Sequence, residues 1–88
     1  MEGNSTNSPF PNRLKEARKA IGISQKELGI RIGLDEFTAS PRMNQYEKGK
    51  HAPAFSVVKA ISQELGIPTA FFYCEEDELA AQIRLYKL

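Results

Sequence analysis

The most reactive side-chain types in this 88-residue chain stand alone. His51 is its only histidine and Cys74 its only cysteine. A tetrahedral zinc site needs several such ligands, so none can be assembled from them. No H-E-x-x-H occurs either. Nucleophilic catalysis through a Ser–His or Cys–His pair would have to use His51. That residue falls in Lys50-His51-Ala52-Pro53, which reads as a loop and carries no nucleophile motif. Gly29 and Gly33 do not follow a strand, so they do not form a phosphate-binding loop. Gly29-x-x-x-Gly33 has the spacing of a membrane dimer motif, but Arg31 falls inside it. Glu75-Glu76-Asp77-Glu78 reads more readily as the solvated start of a helix than as a calcium site. The chain is therefore expected not to be an enzyme and to need neither cofactor nor metal.

What remains is the chemistry of charge and hydrogen bonds. Net charge is +1, but it is unevenly spread. Residues 13–51 carry nine Lys/Arg against five Asp/Glu, and residues 52–88 carry three against five. A basic half joined to an acidic end suits a protein that presents one face to a polyanion.

The stretch that must position those charges is Ser24 to Gly49. Ser24 and Glu27 have the S-x-x-E spacing of a capping box, with the Ser hydroxyl accepting from the N3 amide and Glu27 reaching back to the Ser24 amide. Gly33 is placed to end that helix. A second start is expected at Ser40-Pro41, with Ser40 as N-cap and Pro41 at the first helical position. A continuous helix from Asp35 through Tyr46 is not expected, because Pro41 would then be interior. Asp35-Glu36 is a candidate for a short helical turn. Gly29 inside a helix suggests that another helix crosses close by.

Around this unit the apolar periodicity predicts only helices, an all-α fold. The first begins near Pro9 or Asn12 and ends at Ala20 or Ile21, with Leu14, Ala17 and Ile21 as its apolar stripe. The second runs from Gln25 to Ile32, with Leu28 and Ile32 inward. The third buries Met43 and Tyr46 and leaves Arg42, Asn44, Gln45 and Lys48 outward in whole or part. A fourth runs from Phe55 or Ser56 to Leu65, using Val57 or Val58, Ile61 and Leu65. A short helix at Thr69–Tyr73 offers Phe71 and Phe72 to the core. The last helix reaches about Tyr86, with Leu79, Ile83 and Tyr86 as its stripe. Residues 1–11 are expected to form a flexible tail, 12–73 the domain, and 74–88 a C-terminal helix for packing or dimerisation. No apolar run approaches the ~20 residues that span a bilayer. The N-terminus lacks the basic and apolar regions of a signal peptide. A cytoplasmic protein is expected.

In order along the chain come Leu14-x-x-x-Arg18, Gly22-Ile23-Ser24-Gln25-x-x-Leu28, Gln25-x-x-x-Gly29-x-x-x-Gly33, Tyr46-Glu47-x-Gly49-Lys50 and Pro53. Leu65-Gly66-Ile67-Pro68 and Phe71-Phe72-Tyr73 follow. This series resembles the phage lambda-repressor/Cro-like (XRE-type) helix-turn-helix DNA-binding family over roughly residues 12–73. The resemblance implies a repressor-like five-helix domain, here with one further C-terminal helix. It implies that Gln25 holds a DNA phosphate and that Arg18 and Glu47 form an internal ion pair. It also implies that the helix at about Pro41–Lys48 enters the major groove, with Ser40, Pro41, Arg42 and Gln45 at base-reading or groove-facing places. Gln suits adenine and Arg suits guanine in that groove. Lys48, Lys50 and His51 would lie near the backbone, with Arg13 and Lys26 as weaker phosphate candidates.

One departure from the family is the turn from Leu34 to Ala39, which is longer than usual. In it Thr38, like Ser40, either touches DNA or merely spans the gap. The expected function is sequence-specific binding of double-stranded DNA by a homodimeric transcriptional regulator of repressor type. The alternative is an antitoxin-like or protein-interaction module on the same fold.

Overall fold

The computed structural model describes residues 8–88, so seven of the residues expected as a tail lie outside the described part. Five α-helices and one 3-10 helix follow in order: α1 Phe10–Ile21, α2 Gln25–Arg31, α3 Ala39–Glu47, α4 Phe55–Leu65, the 3-10 helix Thr69–Tyr73, and α5 Asp77–Leu85. No strand occurs among the described residues. The all-α expectation holds.

The core is built by one stripe from each element. Leu14 and Ala17 of α1 meet Leu28 of α2, Met43 and Tyr46 of α3, and Val58, Ile61 and Leu65 of α4. Phe71 and Phe72 close the far side, their rings edge to face at 5.3 Å. Phe10, inside the segment expected as a tail, is already helical and buried against Phe72. Ile21 is the exception in α1: it sits 48% exposed at the helix end, just beyond the reach of the core. In α5 the buried positions are Ala80 and, in part, Ile83, whereas Leu79 and Tyr86 face solvent.

Helix ends follow local chemistry. Ser24 is extended, and its hydroxyl accepts from the Glu27 amide at 3.0 Å, one half of the expected capping box. The other half is replaced: the Glu27 carboxylate accepts from Arg31 one turn along, at 3.0 Å. The exit of α2 uses Gly33 at φ +102°, where a side chain would be strained. Its amide donates to the Ile30 carbonyl, and the next amide, from Leu34, donates to the Gly29 carbonyl. These two bonds turn the chain toward α3.

The start of α3 differs from the expected Ser40-Pro41. Regular helix begins at Ala39, after Thr38, and Pro41 is its third residue. The cause lies upstream. The Asp35 carboxylate accepts from the Phe37 and Thr38 amides at 2.8 and 2.9 Å, and the Asp35 carbonyl accepts from Ala39 at 3.0 Å. The lengthened turn is thus a capped helical turn that feeds α3. Pro41 still falls within the first turn, where a missing N–H costs nothing.

Candidate nucleic-acid interface

Helices α2 and α3 are set against each other by a contact that only glycine allows. A Cβ at Gly29 would lie 2.7 Å from the Ala39 Cβ and 2.9 Å from its Cα. At the opposite end of the pair, Gln25 donates through Nε2 to Asn44 at 3.2 Å and to Glu47 at 3.0 Å. Glu47 is also gripped by Arg18, whose Nε and second guanidinium nitrogen reach its two oxygens at 2.6 and 3.1 Å. The remaining Arg18 nitrogen donates to the Ile23 carbonyl at 2.8 Å. Arg18 therefore ties α1, the entry to α2 and the end of α3 into one block.

With α3 held so, its two faces separate. Ala39, Met43, Tyr46 and Glu47 are buried. Pro41, Arg42 and Lys48 are exposed, and Ser40, Asn44 and Gln45 are half-buried. Thr38 is exposed just before the helix and makes no side-chain capping bond. Lys50 and His51 follow in the exposed loop, where the Lys50 amide donates to the Gln45 carbonyl at 2.9 Å. Arg42, Tyr46 and His51 line a shallow groove that continues to Pro53 and Val57. At nine residues, α3 is about 13 Å long, which suits a groove about 12 Å wide.

The cations divide into two groups. Arg13, Arg18, Lys26, Arg31 and Arg84 all take part in ion pairs. Lys15, Lys19, Arg42, Lys48, Lys50, Lys59 and Lys87 have no carboxylate partner among the described residues, and of these Arg42, the one arginine, lies with Lys48 and Lys50 on the outer side of α3 or just after it. Lys26 is 3.7 Å from Glu36 of the lengthened turn, with both side chains largely in solvent.

Arg13 corrects the sequence reading. It is withdrawn into the domain, donating to the Cys74 carbonyl at 2.9 Å and Asp77 at 3.0 Å with its guanidinium over the Phe71 ring. It clamps α5 to α1 and is not free for a phosphate. Asn44 faces outward only in part: it is half-buried and accepts from Gln25. The available signal was its spacing, since three residues on a helix place it on the same side as Glu47. Asp35 opens the helical turn before α3, as its sequence position suggests, and its carboxyl is held below the usual 3.8 by the Thr38 and Phe37 amides.

The helix-turn-helix family model matches residues 14–72, from the middle of α1 through the 3-10 helix. The chain belongs to the helix-turn-helix family. Within it, α2, the turn and α3 are the unit that gives the family its name.

A relative from Sinorhizobium medicae, an uncharacterised HTH-type transcriptional regulator, is 32% identical over 62 residues, 70% of this chain and 42% of its own length. One from Rhizobium meliloti, of the same description, matches to the same extent. The chain thus spans 42% of the length of these curated relatives. Among solved structures, the transcriptional regulator BswR is 48% identical, with a TM-score of 0.82 over 85% of this chain and 74% of that one. Among the described residues of this helix-turn-helix chain, no cluster of His, Cys, Asp and Glu could hold a metal ion. None of its described helices is long and apolar enough to cross a membrane.

Proposed function

We propose that this chain is a non-enzymatic, sequence-specific binder of double-stranded DNA, a cytoplasmic transcriptional regulator of the XRE, repressor-like type. The observation that carries the reading is the sorting of the arginines. The protein spends its other arginines on internal and surface ion pairs and leaves Arg42, Lys48 and Lys50 unpaired along one exposed strip. Arg42 and Gln45 carry the donors that suit guanine and adenine edges. Ser40, Pro41 and Thr38 stand at the leading end of the same strip. Lys48, Lys50 and Lys26 supply phosphate contacts, and Gln25, at the N-terminus of α2, reaches the backbone by exchanging its bond to Asn44 for one to a phosphate. The names of the relatives and of the structural neighbour support extending base reading to control of transcription. A homodimer would place two copies of α3 about one helical turn apart on a palindrome.

The test is selection from random duplexes followed by titration with the selected operator. Binding should weaken steeply with salt, log affinity falling by about 0.9 per phosphate neutralised for each log unit of salt. Arg42→Ala should cost about 1–3 kcal/mol and relax preference at one base pair. Lys50→Ala should weaken all sequences alike and lower the salt slope by about one. Failure to retard any duplex at low salt would sink the reading in favour of a protein-interaction module.

A further inference from the structure

Phe37 is the most exposed large apolar side chain among the described residues, at 87%. Its backbone is nonetheless fixed. Asp35 accepts from its amide at 2.8 Å and from the next at 2.9 Å, and Glu36 beside it pairs with Lys26 at 3.7 Å. The ring therefore projects from a capped turn.

Its direction follows from the phase of α3. The Ala39 amide bonds the Asp35 carbonyl at 3.0 Å and the Arg42 amide bonds the Thr38 carbonyl at 2.9 Å. Both bonds have the four-residue spacing of an α-helix, so the phase of α3 extends back through the turn. Phe37 then lies one turn before Pro41, in line with Gln45 and Lys48 and away from buried Met43 and Tyr46. A phenyl ring at the head of this strip can offer nothing to a phosphate oxygen. The base edges of the major groove present donors, acceptors and a single kind of apolar group, the C5 methyl of thymine.

We propose that Phe37 is a specificity-determining residue that packs its ring on the C5 methyl of a thymine at the end of the sequence that α3 reads. The proposal rests on the DNA-reading role of α3. The probe is a duplex selected by the full chain from a random library, with each thymine replaced in turn by uracil, which removes only the methyl group.

One such replacement should weaken the wild-type protein about four- to tenfold. Phe37→Ala should weaken binding to the unmodified duplex by a similar factor and be indifferent to that replacement. Phe37→Leu, which keeps apolar area, should recover part of the sensitivity. Full affinity of Phe37→Ala for the unmodified duplex would overturn the proposal. So would an equal loss on thymine and uracil duplexes at every position, which would assign the ring to a wedge or to a protein partner. If the wild-type protein bound no duplex, the DNA-binding reading itself would fall, a result distinct from either of these.

Discussion

A carboxylate with only 3% of its side chain exposed must have its charge answered on all sides. For Glu47 the answer comes from Arg18 through two bonds and from Gln25 through a third. Removing one partner of such a pair leaves the other charge buried without compensation. Glu47→Ala should therefore cost about 3–5 kcal/mol, and with about 4–8 °C lost per kcal/mol in a domain this small, lower Tm by more than about 10 °C. Replacing both partners with apolar residues, Arg18→Met with Glu47→Leu, should recover much of that loss. A Glu47→Ala variant melting within a few degrees of wild type would show that the bridge contributes little. Because Gln25 donates to both Glu47 and Asn44, both hydrogens of its side-chain amide are engaged within the domain.

At the scale of elements, the approach of α2 to α3 decides the outcome of a change that helix propensity alone would favour. Gly29→Ala gains up to about 1 kcal/mol of helix propensity. It also places a methyl group 2.7 Å from the Ala39 Cβ, and overpacking of this kind costs about 1–3 kcal/mol. The net effect should be a loss, read by urea denaturation. Adding Ala39→Gly should return only part of it, since the Ala39 Cα and carbonyl stay at 2.9 and 3.0 Å. A stabilised Gly29→Ala protein would contradict the packing. Gly29 also marks what a sequence can reveal. A glycine inside an apolar-periodic helix announces a close crossing, and Ser24, Gly33 and the Phe71-Phe72 pair likewise disclose their roles through local pattern. Arg13 does not, because its partners at Cys74 and Asp77 are more than sixty residues away along the chain. The early start of α3 was hidden for a related reason. Ser40-Pro41 is a sound local start signal, but Asp35 supplies two bonds to amides upstream of it. The exposure of Ile21 and Leu79 was equally illegible, since periodicity gives a stripe but not where the neighbouring helix ends.

At the scale of the whole molecule, α5 is docked through Ala80, Ile83 and the Arg13 clamp, yet it keeps Leu79, Leu85, Tyr86 and Leu88 between 52% and 79% exposed. We propose that the homodimer forms by pairing this exposed surface with its copy. Leu79→Glu with Leu85→Glu should leave Tm near wild type, because both side chains already face water. It should weaken self-association by about tenfold or more, as read by sedimentation equilibrium, and weaken binding to a palindromic duplex with it. Unchanged self-association would place the dimer contact elsewhere.

The clamp on α3 has a consequence for how such a chain can diversify. Ala39 is seated on Gly29 at one end of the helix and Glu47 is tied to Gln25 and Arg18 at the other. The segment between Leu34 and Thr38 is thereby relieved of setting the docking angle. Loop closure grows costlier only slowly with length, by about 0.6 kcal/mol for each doubling. Residues can be gained, lost or exchanged around Glu36 and Phe37 while α3 keeps its pose. The turn can thus change in length or sequence without rebuilding the packing of α2 on α3.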